Sequence, residues 1–398
     1  MKILIYLDEN ALSPAGGPLG VGYYIHEEVV RRGLTKQIHF LRSNPDKKRR
    51  EDWLKTILHK SPKLTAVERS LRRMIEYHTM FYHPRKEAGV FKDYDAIHFH
   101  STMDMYKQRR NLREYTGHVL LTSHSPIPLA EELYGASSTA FEKRYVKKRM
   151  ALLKKMDRWS FSHADYIVFP CPEAEEPYRN NWPAYDRIAE KRKAHFRYVP
   201  TGISLKTPSI SRKEIREQLG VGSRNFMIAY VGRHNEVKGY GNLKKLGKAI
   251  LDKSPDIRML IAGEEGPLMR LKHPSWIEIG YTLDPYSYIA ASDVFLLPNK
   301  ETYFDLVMIE VLSLGKLVIA SRTGGNKYFE RMGLRGVFLY DTLEEAEALI
   351  YKVKMMSGDR RRRLERENKE FYRRYLSGER FFDSYINMLS SIGLSMDK

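Results

Sequence analysis

Residues 298–325, PNKETYFDLVMIEVLSLGKLVIASRTGG, indicate the fold of this chain more clearly than any other stretch. The apolar run Val294–Leu297 before them predicts a strand, the residues from about Leu306 predict a helix, and residues 317–320 predict a second strand. Strand, loop, helix and strand in this order form a parallel βαβ unit. Ligands bind such units at the carboxyl ends of the strands, where the amides and the positive end of the helix suit a phosphate.

Polar side chains surround this predicted phosphate site. Glu301, Thr302 and Asp305 lie in the loop, Leu306 offers a first-turn amide, and Glu310 follows about one turn into the helix. Their oxygens can accept hydrogen bonds from sugar hydroxyls, so the loop and the helix together suit a sugar nucleotide. The alternative interpretation is an amphipathic core helix with acidic residues at its start by chance.

The nine residues from Thr302 to Glu310 resemble the signature E-x-F-G-L-x-x-x-E of the retaining family 4 glycosyltransferases, which have the GT-B fold. Glu310 matches the second glutamate, whose role in the family is to bind the ribose hydroxyls of the nucleotide. Thr302 takes the place of the first glutamate, with Glu301 one residue earlier, and Asp305 takes the place of the glycine before Leu306. These departures leave a second hypothesis open: a catalytically impaired partner subunit that binds an acceptor or an active enzyme.

A second stretch supports the resemblance. Residues 225–239, NFMIAYVGRHNEVKG, read as an apolar strand that runs into a charged loop. The family's strand-GR-x4-KG arrangement implies that Arg233 and Lys238 bind the donor diphosphate. A diphosphate that loses its sugar gains negative charge, which two fixed cations stabilise, so we predict a catalytic role for both. Solvated surface charge is the alternative. Further similarity lies at residues 199–203, 260–267 and 277–281.

The N-terminal half adds three candidate residues. The resemblance puts the backbone of Gly16 and Gly17 against the donor phosphate or the acceptor, where a side chain would block the approach. A simple turn is the alternative for these glycines. A predicted strand ends near His124, where members of the family place a histidine close to the donor sugar and phosphate, so His124 is a third predicted catalytic residue. For His98 and His100, at the end of another strand, a structural role is favoured.

We expect no metal and no cofactor apart from the donor, a nucleotide-sugar of the UDP type. Asp93 and Asp95 form a D-x-D pattern, which binds metal in the other major glycosyltransferase fold, but GT-B enzymes generally use cationic side chains and helix amides instead. Both aspartates are therefore predicted at the surface. The single cysteine, Cys171, excludes an internal disulfide and a cysteine-rich zinc site.

At 398 residues the chain is long enough for two domains, each with its own core. We predict an α/β chain of the GT-B class, with two Rossmann-like doubly wound domains facing a central cleft. Residues 1–200 would bind the acceptor and residues 201–375 the nucleotide-sugar, while a helix in residues 376–398 would cross back to the N-terminal domain. The proline-containing stretch at residues 171–196 is expected to be irregular.

Sixty-eight Lys and Arg against 49 Asp and Glu leave a net charge of +19, concentrated in residues 42–73, 141–161 and 359–374. A basic helical pattern with aromatic residues, as in 141–161, suits an anionic membrane surface. A solvated face and binding of acidic glycans are alternatives, and nucleic acid is less favoured because no recognised binding motif appears. Without a signal-peptide pattern or an apolar run of membrane-spanning length, we expect a cytoplasmic protein with peripheral attachment at the inner face of the membrane.

These observations predict a retaining glycosyltransferase that moves a hexose or an N-acetylhexosamine from the donor to a hydroxyl of a glycan, a lipid-linked or a protein acceptor. In the family's scheme the acceptor attacks the face from which the nucleotide leaves, and the departing phosphate helps to remove the acceptor proton. A third hypothesis is a basic membrane- or nucleic-acid-binding protein that uses the fold only as a scaffold. It would bind in a salt-dependent way without preferring any nucleotide.

Overall fold

The computed structural model describes residues 1–14, 16–42, 90–125, 127–135, 137 and 139–395, together with residues 70, 71, 74, 75 and 78. Most of the predicted basic stretch at residues 42–73 lies outside the described residues. Only its residues 42, 70 and 71 are described. The chain forms two compact units. The first unit comprises Met1–Phe169, Tyr178–Val199 and Tyr385–Lys398, and the second comprises Pro170–Pro177 and Pro200–Ser384.

The first unit is built on a parallel sheet of six strands in the order β2-β1-β3-β4-β5-β6. Its strands are nearly continuous apolar runs, as expected of a parallel sheet that is covered on both faces. The strand order reverses at the neighbouring strands β1 and β3. The strands are β1 (Ile3–Asp8), β2 (Ile38–Leu41), β3 (Ala96–Phe99), β4 (His118–Leu121), β5 (Tyr166–Phe169) and β6 (Phe196–Tyr198).

Helices between these strands cover the sheet and pack on one another. The buried residues Met103, Leu129, Val146 and Leu153 bring four of the helices into one apolar cluster. Thr139 begins one of them with a capping box, in which the Glu142 side chain bonds back to the Thr139 amide. The helices in this part of the chain are α1 (Gly17–Arg31), α2 (Thr102–Lys107), α3 (Leu129–Gly135), α4 (Ala140–Lys147), α5 (Met150–His163), α6 (Glu176–Asn181), whose first two residues belong to the second unit, and α7 (Tyr185–Arg192).

The stretch at residues 171–196 corrects the prediction of irregular structure, because it contains a 3-10 turn and the helices α6 and α7. Pro172 and Pro177 both lie in the first turn of a helical segment. In the first turn a backbone N–H has no acceptor within the helix, so proline, which lacks this N–H, costs no hydrogen bond there. The fixed φ of proline also suits a helix. The prolines therefore begin helices here and do not interrupt them.

The second unit also has a parallel sheet of six strands, in the order β12-β11-β10-β7-β8-β9. The chain builds the sheet outward from β7 to β9 and then returns to the other side of β7 with β10. The order therefore reverses between β7 and β10. The strands are β7 (Phe226–Val231), β8 (Ile257–Ala262), β9 (Trp276–Gly280), β10 (Val294–Leu297), β11 (Val318–Ser321) and β12 (Val337–Tyr340).

The helices of the second unit place apolar residues on this sheet. Leu243, Leu246 and Ile250 recur at helical spacing and are buried against strand residues such as Ile228 and Ile261. None of the helices in the described part of the chain combines the length and apolar character that a membrane span requires. The helices are α8 (Arg212–Gln218), α9 (Tyr240–Lys253), α10 (Pro285–Ala291), α11 (Leu306–Ser313), α12 (Lys327–Arg331), α13 (Leu343–Lys354), α14 (Gly358–Phe371) and α15 (Gly378–Ser391).

Candidate functional site

The candidate site lies in the second unit, where the strand order reverses. Strand β7 leads into α9 through a loop at residues 232–239, and β10 leads into α11 through a loop at residues 298–305. Because β7 and β10 pair in parallel, their carboxyl ends and the two loops lie side by side. Such a reversal is where open α/β sheets bind ligands.

Two glycines hold the loop at residues 298–305 in place. Gly239 has φ +67°, and a Cβ there would collide with the carbonyl oxygen of Pro298. Gly324 has φ +43°, and a Cβ there would collide with the carbonyl oxygen of Thr302. Only glycine combines this conformation with so close an approach of two backbones. The loop therefore reaches α11 along a fixed path.

Lys238 forms an ion pair with Asp305 across the two loops. The Lys238 Nζ atom lies 2.8 Å from Oδ1 and 2.7 Å from Oδ2 of Asp305. Asn299 donates a further hydrogen bond of 2.5 Å from Nδ2 to Asp305 Oδ2. The structure thus brings together two predicted site residues, but it pairs them with each other.

Arg233 is the second predicted cation of the site, and it is exposed. Its carbonyl oxygen accepts a hydrogen bond of 3.1 Å from the Tyr230 hydroxyl, which ties the backbone to the end of β7. Among the described residues, its guanidinium has no ion-pair partner. A five-donor fork on a tethered backbone can receive a phosphate in a bidentate manner.

Glu310 lies about one turn into α11 and is 9% exposed. The Tyr286 hydroxyl, on α10, donates a hydrogen bond of 3.2 Å to Glu310 Oε1. Burial raises the pKa of Glu310 to about 7, although this hydrogen bond and the charge of Lys206 act in the opposite direction. A buried carboxyl of this kind can bind hydroxyl groups, and it loses free energy when it is ionised without a partner.

The other predicted residues of this loop lie around the start of α11. Thr302 is 1% exposed, and its Oγ1 has no hydrogen-bond partner among the described residues; the same holds for Oδ1 of the buried Asn299. Glu301 is half-buried. Leu306 is the first residue of α11, as predicted, and helix geometry leaves first-turn amides without an intrahelical acceptor. Two buried polar atoms without partners among the described residues therefore lie in the loop that leads into α11.

Gly16 and Gly17 belong to the first unit and open α1 after β1. Their φ angles are +101° and +66°, a region that favours glycine. Apart from chain neighbours and the backbone of α1, no atom of the described residues lies within 4 Å of the place where a Cβ would stand at either residue. The backbone conformation, and not crowding by the described residues, therefore explains the two glycines.

His124 follows β4 in the first unit and contacts His100, which follows β3. His124 Nε2 lies 2.7 Å from His100 Nδ1, and the rings stack with their centroids 5.0 Å apart. His98 is buried and contacts Thr122 and Tyr385 through its two ring nitrogens, at 2.8 and 3.0 Å. Burial lowers the pKa of His98 and of His124 to about 3, so both rings are neutral near pH 7.

Sequence reasoning did not identify Tyr286 and Asn299 as members of the site. Tyr286 contacts Glu310 from another helix, 24 residues away in the chain, and no local pattern records such a contact. Asn299 lies at the start of the loop that carries the predicted residues, but only its hydrogen bond to Asp305 makes it a member of the site. Asp93 and Asp95 are exposed, as predicted. No group of three or more potential metal ligands occurs among the described residues, and metal independence stays a prediction.

Comparison with known proteins supports this picture. Residues 211–371 match the family model described as "Glycosyl transferases group 1". All candidate residues of the second unit lie inside this range. The matched part belongs to the second unit only, so the model says nothing of Gly16, Gly17 or His124.

Among the relatives, the capsular polysaccharide biosynthesis glycosyltransferase CapM of Staphylococcus aureus is 30% identical over 110 residues, 25% of this chain and 29% of CapM. A UDP-Gal:alpha-D-GlcNAc-diphosphoundecaprenol alpha-1,3-galactosyltransferase of Escherichia coli is 27% identical over 142 residues, 32% of this chain and 37% of that protein. The chain spans less than two thirds of the length of the curated relatives that it matches.

Among solved structures, HepE of Anabaena in complex with UDP superposes with a TM-score of 0.63 at 15% identity, over 98% of this chain and 100% of HepE. Similarity at this level of identity concerns the fold. With two parallel six-stranded sheets in an α/β chain and glycosyltransferases of the GT-B fold as structural neighbours, the predicted fold class is confirmed.

Proposed function

We propose that the chain is a retaining, metal-independent glycosyltransferase of the family 4 type. It would transfer a hexose or an N-acetylhexosamine from a UDP-sugar to a hydroxyl of a glycan, a lipid-linked or a protein acceptor. The observation that carries this proposal is the pairing of β7 with β10, which sets the loop that contains the exposed Arg233 next to the loop that leads into α11, with Glu310 one turn into that helix. The match of residues 211–371 to the group 1 family model supports it.

Each group has a distinct part in the proposed donor site. The Arg233 guanidinium and the first-turn amides of α11, from Leu306 onward, bind the diphosphate and stabilise the charge that it gains when the sugar leaves. Glu310 accepts hydrogen bonds from the ribose hydroxyls, with Tyr286 holding its carboxyl in place. In the family the positions of Glu301 and Thr302 lie at the sugar end of the loop, and we propose the same for this chain, although the Thr302 hydroxyl is buried in this structure.

UDP is the proposed nucleotide because HepE has been solved with UDP and with UDP-glucose, and because the name of the Escherichia coli relative states a UDP-galactose donor. In the proposed reaction the acceptor oxygen bonds to the anomeric carbon on the face that the nucleotide leaves. The bond from that carbon to the phosphate oxygen breaks, and the departing phosphate takes the acceptor proton. The first unit would contribute the backbone of Gly16 and Gly17 and the neutral imidazole of His124 on the side of the acceptor.

The proposal is tested by thermal unfolding with a panel of nucleotides and sugar nucleotides, in the presence of a chelator. We expect UDP and one UDP-sugar to raise Tm selectively, because a ligand at about a hundred times its Kd stabilises a protein by about 2.7 kcal/mol. Arg233→Ala should weaken UDP binding at least about tenfold, since it removes a charge-assisted contact.

Arg224→Ala is the matched control, because Arg224 is an exposed arginine just before the opposite end of β7. Equal losses of UDP binding in both variants would mean that only net charge matters. Stabilisation by GDP- or ADP-sugars alone would overturn the UDP donor and keep the enzyme. An absence of any response would contradict the proposal.

A catalytically impaired partner subunit is the second candidate function, and the Lys238–Asp305 ion pair favours it because the pair occupies a predicted phosphate ligand. An impaired subunit would show no transfer to any acceptor even where it binds UDP. Hydrolysis of a bound UDP-sugar, followed as UDP release, separates the two candidates without knowledge of the acceptor. Turnover that Arg233→Ala abolishes would exclude the impaired subunit.

A further inference from the structure

Asp305 places a carboxylate where the proposed site would bind phosphate. Asp305 is the residue immediately before α11, and its side chain makes no capping hydrogen bond to that helix. The carboxylate instead turns toward Lys238 and accepts two contacts from its ammonium group. The negative charge at the positive end of α11 is thus provided by the protein itself.

The contacts of this carboxylate are fixed and partly shielded from water. The Asp305 side chain is 13% exposed and that of Lys238 is 29% exposed. Asn299, which is buried, holds Oδ2 of the carboxylate from a third direction. An ion pair with a supporting hydrogen bond at this depth is less screened than a pair on the open surface.

We infer that Asp305 is an internal competitor of the donor diphosphate and sets the affinity of the site for nucleotides. This inference rests on the proposed function. Without ligand, Asp305 neutralises Lys238, so that of the two candidate cations only Arg233 is unpaired among the described residues. A diphosphate must share Lys238 with the carboxylate and approach a like charge.

The size of the effect follows from Coulomb's law. Removing a unit negative charge about 7 Å from a phosphate, at an effective dielectric constant of about 40, tightens binding by about 5- to 10-fold. The opposite hypothesis is that Asp305 positions Lys238 for the phosphate. In that case, the removal of the carboxylate would weaken nucleotide binding.

The test is the Kd for UDP, measured by calorimetry with a chelator present, for the full chain and five variants. Asp305→Asn keeps the shape of the side chain and removes its charge. Asp305→Ser also removes the charge, and serine is a favoured residue at the position immediately before a helix. Lys238→Ala is made alone and together with Asp305→Asn. Asp359→Asn is the matched control, because Asp359 is an exposed aspartate that pairs with Arg362 on α14.

We expect Asp305→Asn and Asp305→Ser to bind UDP about 5- to 10-fold more tightly, and Asp359→Asn to bind as the unaltered chain does. Lys238→Ala should cost more affinity in the Asp305→Asn background than in the unaltered one, because only there is Lys238 fully available. Unchanged or weaker UDP binding by both Asp305 variants would overturn the inference and leave the proposed function standing. No nucleotide binding by any variant would overturn both.

Discussion

At the scale of single residues, Glu310 makes the stability of the ligand-free protein depend on pH. Its pKa is raised by burial from an ordinary value of 4.5 to about 7, so the folded chain holds a proton on this group that the unfolded chain releases. The stability that this proton provides is fully present below the unfolded pKa and is lost as pH rises through about 7. The ionised, buried Glu310 therefore destabilises the ligand-free chain above neutral pH.

Glu310→Gln should remove this dependence. We expect the variant to gain stability over the unaltered chain as pH rises from about 5 to about 8, by up to about 2 to 3 kcal/mol. Urea unfolding at several pH values measures the difference. Glu217→Gln serves as the control, because Glu217 is exposed and pairs only at 3.8 Å with Lys213. If the difference in the free energy of unfolding between Glu310→Gln and the unaltered chain did not change with pH, the raised pKa of Glu310 would be contradicted.

A second residue-scale prediction concerns the tautomers of His100 and His124. His100 is 3% exposed, and its Nε2 has no hydrogen-bond partner among the described residues. Buried N–H groups without an acceptor are rarer than unpaired acceptors, so His100 should carry its proton on Nδ1 and donate it to His124 Nε2. His124 then presents an Nδ1–H group. Nitrogen-15 NMR of the labelled histidines measures which ring nitrogen carries the proton, and the His124→Asn variant assigns the signals of His124. A proton on Nε2 of His124 would refute the predicted tautomers.

The candidate residues show how far sequence could lead at this scale. Arg233, Lys238 and Glu310 were predicted because the residues around them resemble family motifs that place such side chains at a set spacing from a strand or a helix start. The Lys238–Asp305 contact could not be predicted in the same way, because its partners are 67 residues apart and meet only after β7 and β10 have paired. Spacing predicts which residues reach a sheet edge, whereas their mutual contacts depend on tertiary packing.

At the scale of elements, α4 and α5 present a basic surface. This α4–α5 surface includes the exposed Phe141, at 61% exposure, and the exposed cations Lys143, Arg144, Lys147, Lys148, Lys154, Lys155 and Arg158. The sequence pattern at residues 141–161 predicted one helical stretch, and the structure divides it between Lys147 and Met150. Apolar residues on the opposite face pack into the first unit, so the cations remain in solvent.

We propose that this surface binds anionic membranes. Lys143 and Lys147 lie one turn apart, and each cation near such a membrane contributes about 1 kcal/mol. Lys143→Gln combined with Lys147→Gln should therefore weaken sedimentation with phosphatidylglycerol vesicles at low salt by about 30-fold. Lys213→Gln combined with Arg224→Gln, at two exposed cations of the second unit, removes the same charge as a control. Equal losses of vesicle binding in both double variants, or no vesicle binding by the unaltered chain, would contradict the proposal that the α4–α5 surface binds membranes.

Sequence patterns predicted the alternation of strands and helices well, and they failed where one residue type has two structural uses. The βαβ unit around residues 298–325 could be predicted because its apolar runs are long and its turns are polar. Pro172 and Pro177 misled the prediction for residues 171–196, since proline both interrupts helices and begins them. Only the neighbouring structure shows which of the two applies.

At the scale of the whole molecule, both sheets reverse their strand order, at β1 and β3 in the first unit and at β7 and β10 in the second. Periodicity predicts strands but not their neighbours, so only the doubly wound class was predicted, from the resemblance to a known family, and the strand order is known from the structure. The reversal explains why the candidate residues come from distant parts of the chain. It brings together the ends of strands that are not consecutive in the chain, because β2 lies between β1 and β3, and β8 and β9 lie between β7 and β10.

The last helix, α15, links the two units through the chain, because residues up to Ser384 belong to the second unit and Tyr385–Lys398 belong to the first. The Tyr385 hydroxyl lies 3.0 Å from Nδ1 of the buried His98. Tyr385→Phe leaves that nitrogen without this partner in a buried site. We expect a loss of about 1 to 3 kcal/mol in the free energy of unfolding.

If the second unit alone contains the nucleotide site, Tyr385→Phe should lower Tm and leave the Kd for UDP unchanged. Tyr351→Phe is the matched control, since it removes a half-buried hydroxyl that lies 3.0 Å from Ser254, and it should cost less than about 1 kcal/mol. A weaker affinity of Tyr385→Phe for UDP, measured well below its Tm, would show that residues of the first unit contribute to nucleotide binding. Measured together, Tm and the Kd for UDP thus separate the stability of the first unit from nucleotide binding by the second.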